Sequence, residues 1–127
     1  MNLITLGLDE VILIHDHVIS PKEIQGLAQD KSLDGALSRI DYRLQYGVIE
    51  DVYDLAATYA VVIATGHTFN DANKRTAYHT MVTCLQLNGE PTEHLGTQEV
   101  GDIIIQVAQG KIDEIELAKW LRKKVSP

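Results

Sequence analysis

Along most of the chain, apolar residues return every three or four positions, the spacing of helices that bury one face. "LDEVILIHDHVI" (Leu8 to Ile19) predicts a first helix, closed by Ser20-Pro21. A loop holding Pro21 and Gly26 leads to Ser32, a good N-cap. Leu33, Leu37, Ile40 and Leu44 then form one stripe, with Gly47 as the stop. A third helix is predicted from about Glu50 to Thr65. Its second half, "LAATYAVVIAT", is apolar or small on every side, which marks a helix surrounded by others. A fourth begins near Asp71 and repeats through Ala77, Met81, Cys84 or Leu85, and Asn88; it ends at Asn88-Gly89, before Pro91. "TQEVGDIIIQVAQG" predicts a fifth with Thr97 as N-cap, and "IDEIELAKWLRKKV" a sixth opening at Asp113. The run "DIII" fits a short strand in isolation, but its flanks are helical. The expectation is an all-α bundle of about six helices, with residues 1–127 as one domain large enough to bury a core.

Composition narrows the function classes. The apolar fraction, 45%, is too high for a disordered chain. Eighteen acidic against eleven basic residues give a formal charge of −7, a field that repels nucleic-acid backbones. The one dense basic run, "KWLRKK" (Lys119 to Lys124), falls at the end of a predicted helix, where cations offset the dipole, and reads as a solvated helix end. A single cysteine, Cys84, excludes an intrachain disulfide and sits within an apolar helical pattern, so it reads as an inert core thiol. The N-terminus lacks the basic start of a secretory signal, and no uncharged apolar run approaches the roughly 18 residues of a membrane span. The expected compartment is the cytoplasm, with neither membrane nor nucleic acid as direct partner.

One stretch breaks the apolar pattern. "GHTFNDANKRTA" (Gly66 to Ala77) sets a histidine, an aspartate, two asparagines, a lysine and an arginine around one phenylalanine, between two core-like segments. Placed between the third and fourth helices, it is a loop feeding a helix N-terminus. The first N–H groups there have no internal partners and carry partial positive charge, which favours anions. Lys74 and Arg75 fall in that first turn, where cations disfavour the helix unless an anion sits between. His67 is placed to take a proton from an attacking hydroxyl. Asp71 is the candidate Mg²⁺ ligand, and Asn73, Lys74 and Arg75 the candidates to neutralise phosphate oxygens. Asp71 and Asn70 also read as ordinary N-caps, which explains either residue but not the lysine and arginine. Phe69 is expected to plug the loop into the core. Together these point to phosphoryl or nucleotidyl transfer.

The stretch "HTFNDANKR" resembles the motif of the Fic/Doc family, whose Fic form reads H-P-F-x-[D/E]-G-N-G-R. His67, Phe69, Asp71, Asn73 and Arg75 match at the family's spacing, while Thr68, Ala72 and Lys74 replace the proline and the two glycines. Those departures, the block "NDANKRTA", and the upstream "LIHDHVIS", "LDGALSRI" and "DLAATYAVVIATGH" are similar to the Doc (death-on-curing) branch. The resemblance spans roughly Val11 to Gly89 and weakens in the last third. It implies ATP and Mg²⁺ as cofactors. It assigns His67, Asp71 and Lys74 to catalysis, Asn70, Asn73, Lys74 and Arg75 to nucleotide or phosphate binding, and Asp71 to Mg²⁺.

For the Doc branch, the resemblance implies a toxin of a toxin–antitoxin system. Such a toxin transfers the γ-phosphate of ATP to a threonine of elongation factor Tu and so inhibits translation. The Fic branch implies the alternative, transfer of AMP to a protein hydroxyl; an inactive, antitoxin-binding member is the third reading. Lys74, in place of a glycine, is where the branches part: it fills space that phosphate otherwise takes against the backbone, and adds a charge. The partner implied is a Phd-like antitoxin laying a helical segment in a groove. The family's internal inhibitory pattern, S/T-x-x-x-E-[G/N], is absent from this chain, so self-inhibition is not expected.

A second polar triplet, "HDH" (His15, Asp16, His17), raises a metal-dependent phosphohydrolase as a competitor. That fold needs a further upstream histidine, which this chain lacks, and neighbouring helical residues point about 100° apart. A structural role is expected, with one of the three lining the nucleotide groove at most. His79 and His94, on a helix face and in a loop, receive no role.

Overall fold

The computed structural model describes residues 2–29 and 31–126. Among them six helices form: α1 (Leu8–Val18), α2 (Leu33–Gln45), α3 (Val52–Gly66), α4 (Asn73–Leu87), α5 (Thr97–Ala108) and α6 (Glu114–Val125). No strand forms among the described residues; Leu27 and Phe69 make one isolated antiparallel bridge. The protein is all-α.

The all-round apolar character of α3 has the consequence expected of it. Leu55 through Ala60 and Val62 through Ala64 are buried, and α2, α4, α5 and α6 all pack against this helix. Its alanines at 56, 57, 60 and 64 bring those neighbours close, because interaxial distance depends on side-chain size at the contact. α4 runs beside it most extensively, burying Ala77, Met81, Cys84 and Leu85. Burial pushes the Cys84 thiol up to about 12, so it stays protonated and unreactive.

Helix ends follow local chemistry. Ser32 accepts from Gly35 N (2.9 Å), Asp51 from Asp54 N (2.8 Å) and Asp113 from Glu116 N (2.9 Å). α2 stops where Gly47 turns left-handed (φ 74°) and Val48 N reaches back to Arg43 O at 2.9 Å. Thr97 is not the N-cap of α5. The first helical bond runs from Val100 N to Gly96 O, so the chain enters the helix one residue earlier, just after the buried Leu95. The "DIII" run lies inside α5, with Ile103 and Ile104 buried.

The basic run near the C-terminus is partly spent on ion pairs. Arg122 spans Asp51 (3.0 Å) and Asp54 (2.7 Å) at the start of α3, and Lys124 meets Glu99 (2.7 Å). No helix among the described residues is long and apolar enough to cross a membrane.

One buried polar link ties the N-terminal segment to the core. The Tyr59 hydroxyl donates to Leu6 O and accepts from Leu6 N, both at 2.7 Å, and burial raises its pKa to about 12. Tyr59→Phe leaves both Leu6 groups unpaired in a buried place. We expect it to lower unfolding free energy by about 1–3 kcal/mol. Urea denaturation checks this as a shifted midpoint at constant slope.

Candidate active site

The polar loop connects the C-terminus of α3 to the N-terminus of α4, and both junction residues are left-handed. His67 caps α3 at φ 49°, ψ 41°, and Ala72 caps α4 at φ 65°, ψ 25°. For residues carrying a Cβ this conformation costs about 1–2 kcal/mol, so the surroundings must hold both in place.

The holding contacts are visible. The Phe69 ring lies flat on the buried His15 ring, centroids 3.8 Å apart and planes within 5°. Asn73 closes on the Phe69 backbone from the other side, its Oδ1 accepting from Phe69 N (3.1 Å) and its Nδ2 donating to Phe69 O (3.0 Å). The segment after α1 then lies along the loop. Ala28 N donates to Thr68 O (2.8 Å), and Asn70 N to Gly26 O (3.0 Å).

α4 starts at Asn73, two residues later than the pattern predicts, because the expected caps are engaged elsewhere. Asp71 Oδ2 accepts from Ile24 N (3.0 Å), its carbonyl accepts from His15 Nε2 (2.9 Å), and Asn70 Nδ2 donates to Gln25 O (2.9 Å). The cap position falls to Ala72, which has no side-chain acceptor. The N–H groups of Asn73, Lys74 and Arg75 therefore make no hydrogen bond among the described residues. Three unpaired donors at the positive end of a helix form a cradle for anionic oxygens.

All six residues singled out from the sequence line one cavity of about 260 Å³: His67, Asn70, Asp71, Asn73, Lys74 and Arg75. Their side chains are not equally available. His67 is exposed, and its ring has no hydrogen-bond partner among the described residues. Lys74 is exposed and unpaired among them. Asp71 Oδ1 has no partner among the described residues. The carboxamides of Asn70 and Asn73 serve the loop itself, so what Asn73 offers a ligand is its backbone N–H. Arg75 donates to Val18 O (3.0 Å) and pairs with Glu23, which holds the Glu23 carboxyl below the usual range and raises the guanidinium.

Glu23 and the backbone of residues 18–28 were not legible as site components. "SPKEIQG" reads as a turn, and nothing local says that it lies against a helix some fifty residues onward. His15 settles as the structural member of its triplet. Nδ1 meets Asp16 (3.2 Å), Nε2 is engaged by Asp71 O, and His17 is exposed. No group of three His, Cys, Asp or Glu residues that could hold a metal occurs among the described residues.

Two comparisons with known proteins cover the segment that carries this loop. The sequence model of the Fic/DOC family matches residues 5–85, which include α1 through the polar loop and most of α4. "Protein kinase doc" of Escherichia phage P1 is 34% identical over 116 residues, covering 91% of this chain and 90% of that protein.

The Asn73 clamp is open to test. Asn73→Ala strands the N–H and C=O of Phe69. We expect a stability loss of about 1–3 kcal/mol, together with faster hydrogen exchange at the Phe69 amide. Asn73→Asp, which keeps the acceptor alone, should fall between.

Proposed function

This chain is a member of the Fic/DOC family, and from that premise we propose that it is the toxin of a toxin–antitoxin system, a protein kinase that transfers the γ-phosphate of ATP to a threonine hydroxyl of elongation factor Tu and so inhibits translation. The observation that carries the reading is the shared cavity. Among the described residues, an unpaired histidine, a carboxylate with one free oxygen, an unpaired lysine and three open helix N–H groups converge there. The phage relative's name, a protein kinase, favours phosphate over AMP as the transferred group.

In this reading His67 takes the proton of the acceptor hydroxyl as its oxygen attacks the γ-phosphorus. The new O–P bond forms while the bond from that phosphorus to the β–γ bridging oxygen breaks, and ADP leaves with the electron pair. The N–H groups of Asn73, Lys74 and Arg75 donate to phosphate oxygens as charge shifts, and the Lys74 ammonium neutralises part of it. Asp71 suits Mg²⁺: it has a single free carboxylate oxygen and no protein cage around it, as in sites that this ion shares with substrate phosphates. The ion, when bound, neutralises phosphate charge. Ile24 N and His15 fix the Asp71 carboxylate and backbone, so that its free oxygen has one direction.

A separate antitoxin that lays a helical segment on this protein completes the reading. Localisation in the cytoplasm, where elongation factor Tu works, belongs to the same proposal.

The test compares γ- with α-labelled ATP in the presence of elongation factor Tu. The γ-label should move to the factor and the α-label should not. His67→Ala should cut the rate about 100- to 10,000-fold, the usual worth of a general base. Lys74→Gly should shift label from γ toward α if the lysine selects which phosphorus faces His67. Transfer of α-label alone by the unaltered protein would establish the AMP transferase instead. Transfer of neither, with antitoxin binding retained in His67→Ala, would establish a binding module.

A further inference from the structure

Among the described residues, four charged side chains line the cavity that holds His67, Lys74 and Arg75 against Glu23 and Asp71. Their formal charges cancel, an odd balance for a cavity whose helix N–H groups favour anions. In phosphoryl transfer the Asp71 charge has a use, since a divalent cation takes it up. Lys74 and Arg75 suit phosphate oxygens. Glu23 is left without a task in that chemistry, and its charge opposes an incoming anion.

The Glu23 carboxylate is held in place by its own turn. Its Oε1 accepts from Ser20 N (2.9 Å), and the Glu23 N–H donates to Ser20 O (3.0 Å). Its Oε2 accepts from Nη2 of Arg75. The same guanidinium donates from Nη1 to Val18 O (3.0 Å), at the end of α1. Arg75 is thus divided. Its backbone N–H has no partner among the described residues and belongs to the anion cradle, while its side chain is drawn aside to a carboxylate. A guanidinium meets carboxylate and phosphate with the same fork of donors, so the two anions compete for it. Contact with Arg75 holds the Glu23 carboxyl below the usual range, which keeps it charged at neutral pH. With 24% of the Glu23 side chain and 48% of the Arg75 side chain exposed, water screens the pair and its exchange costs little.

We infer that Glu23 is a stand-in for phosphate on Arg75. It holds the guanidinium until a polyphosphate enters and then yields it to a phosphate oxygen, so this one carboxylate sets how tightly the site holds its anionic substrate. The inference rests on the phosphotransferase reading and deepens it. Because the Ser20 bonds do not involve Arg75, the turn stays closed when the arginine leaves, and the exchange moves one side chain rather than a segment.

The test measures binding of tripolyphosphate by calorimetry, with Mg²⁺ present, to the unaltered full chain, Glu23→Gln, Arg75→Ala and the double variant. Glutamine keeps an acceptor for Ser20 N and removes only the charge, so the Tm should change little. Glu23→Gln should bind about two- to fivefold more tightly, the worth of a screened ion pair that no longer has to be broken. A glutamate that merely shaped the turn gives no such gain. In the Arg75→Ala background the same substitution should bring little gain, since the arginine to be released is absent. Equal gains with and without Arg75 would mean general charge repulsion and overturn the exchange. Unchanged or weaker binding in Glu23→Gln overturns it too, while leaving the phosphate cradle standing. Failure of the unaltered chain and of Glu23→Gln to bind at all overturns the phosphotransferase reading itself. Should Arg75→Ala not fold or not bind, the carboxyl carbon signal of Glu23 in the unaltered protein, followed by NMR against pH, decides. Saturating tripolyphosphate should raise its titration midpoint toward the ordinary glutamate range, and an unmoved midpoint overturns the exchange.

Discussion

The burial of α3 on every side is the constraint from which the rest of the molecule follows. A helix wrapped by α2, α4, α5 and α6 has no freedom to slide or turn, because each shift would open voids or clashes against several neighbours at once. Its last residue therefore delivers the chain to one place, and His67 begins there. Closely packed interiors tolerate little displacement, so a side chain mounted on such a helix end has its backbone held without any hydrogen bond to its own ring. The imidazole can stay open to solvent while its backbone is rigid.

The crossing from α3 to α4 is short and carries two left-handed residues that are not glycine. Their cost is met by contacts from a distant part of the chain. His15 stacks under Phe69 and holds the Asp71 carbonyl, while Ile24, Gln25, Gly26 and Ala28 engage residues 68–71 through backbone groups. These bonds also remove Asp71 and Asn70 from the capping role that their chemistry suits. The helix has no side-chain cap as a result, and its first three N–H groups have no partner among the described residues. Strain and unsatisfied donors are concentrated at one cavity, where an anion relieves them.

The two cations of the first turn divide the work. Arg75 is tied to Glu23 and to Val18 O and so links α4 to the segment after α1. Lys74, one residue earlier, faces the cavity without such a pair among the described residues. Because nearly half of the Arg75 side chain is exposed, its ion pair contributes little to stability and a phosphate can compete with Glu23 for it. Among the described residues, the unpaired charge of this turn is thus that of Lys74, at a position where the Fic form of the motif has glycine.

The sequence alone determined the helices and which residues line the candidate cavity. Periodicity marked the six helices, since a face that must be buried repeats every three to four residues whatever it packs against. The all-round apolar run of residues 55–64 marked the central helix for the same reason, and Ser32, Asp51 and Asp113 act as caps within four residues of their partners. "HTFNDANKR" named the cavity's residues because they are neighbours along the chain. What the tertiary structure decided is which of those side chains are free. Asn73 and Asn70 look like ligand donors in sequence, yet their carboxamides are consumed by backbone groups, and Glu23 reaches Arg75 from a turn that carries no signal. Such pairings depend on segments about fifty residues apart meeting across a packed core, and no local pattern encodes that meeting.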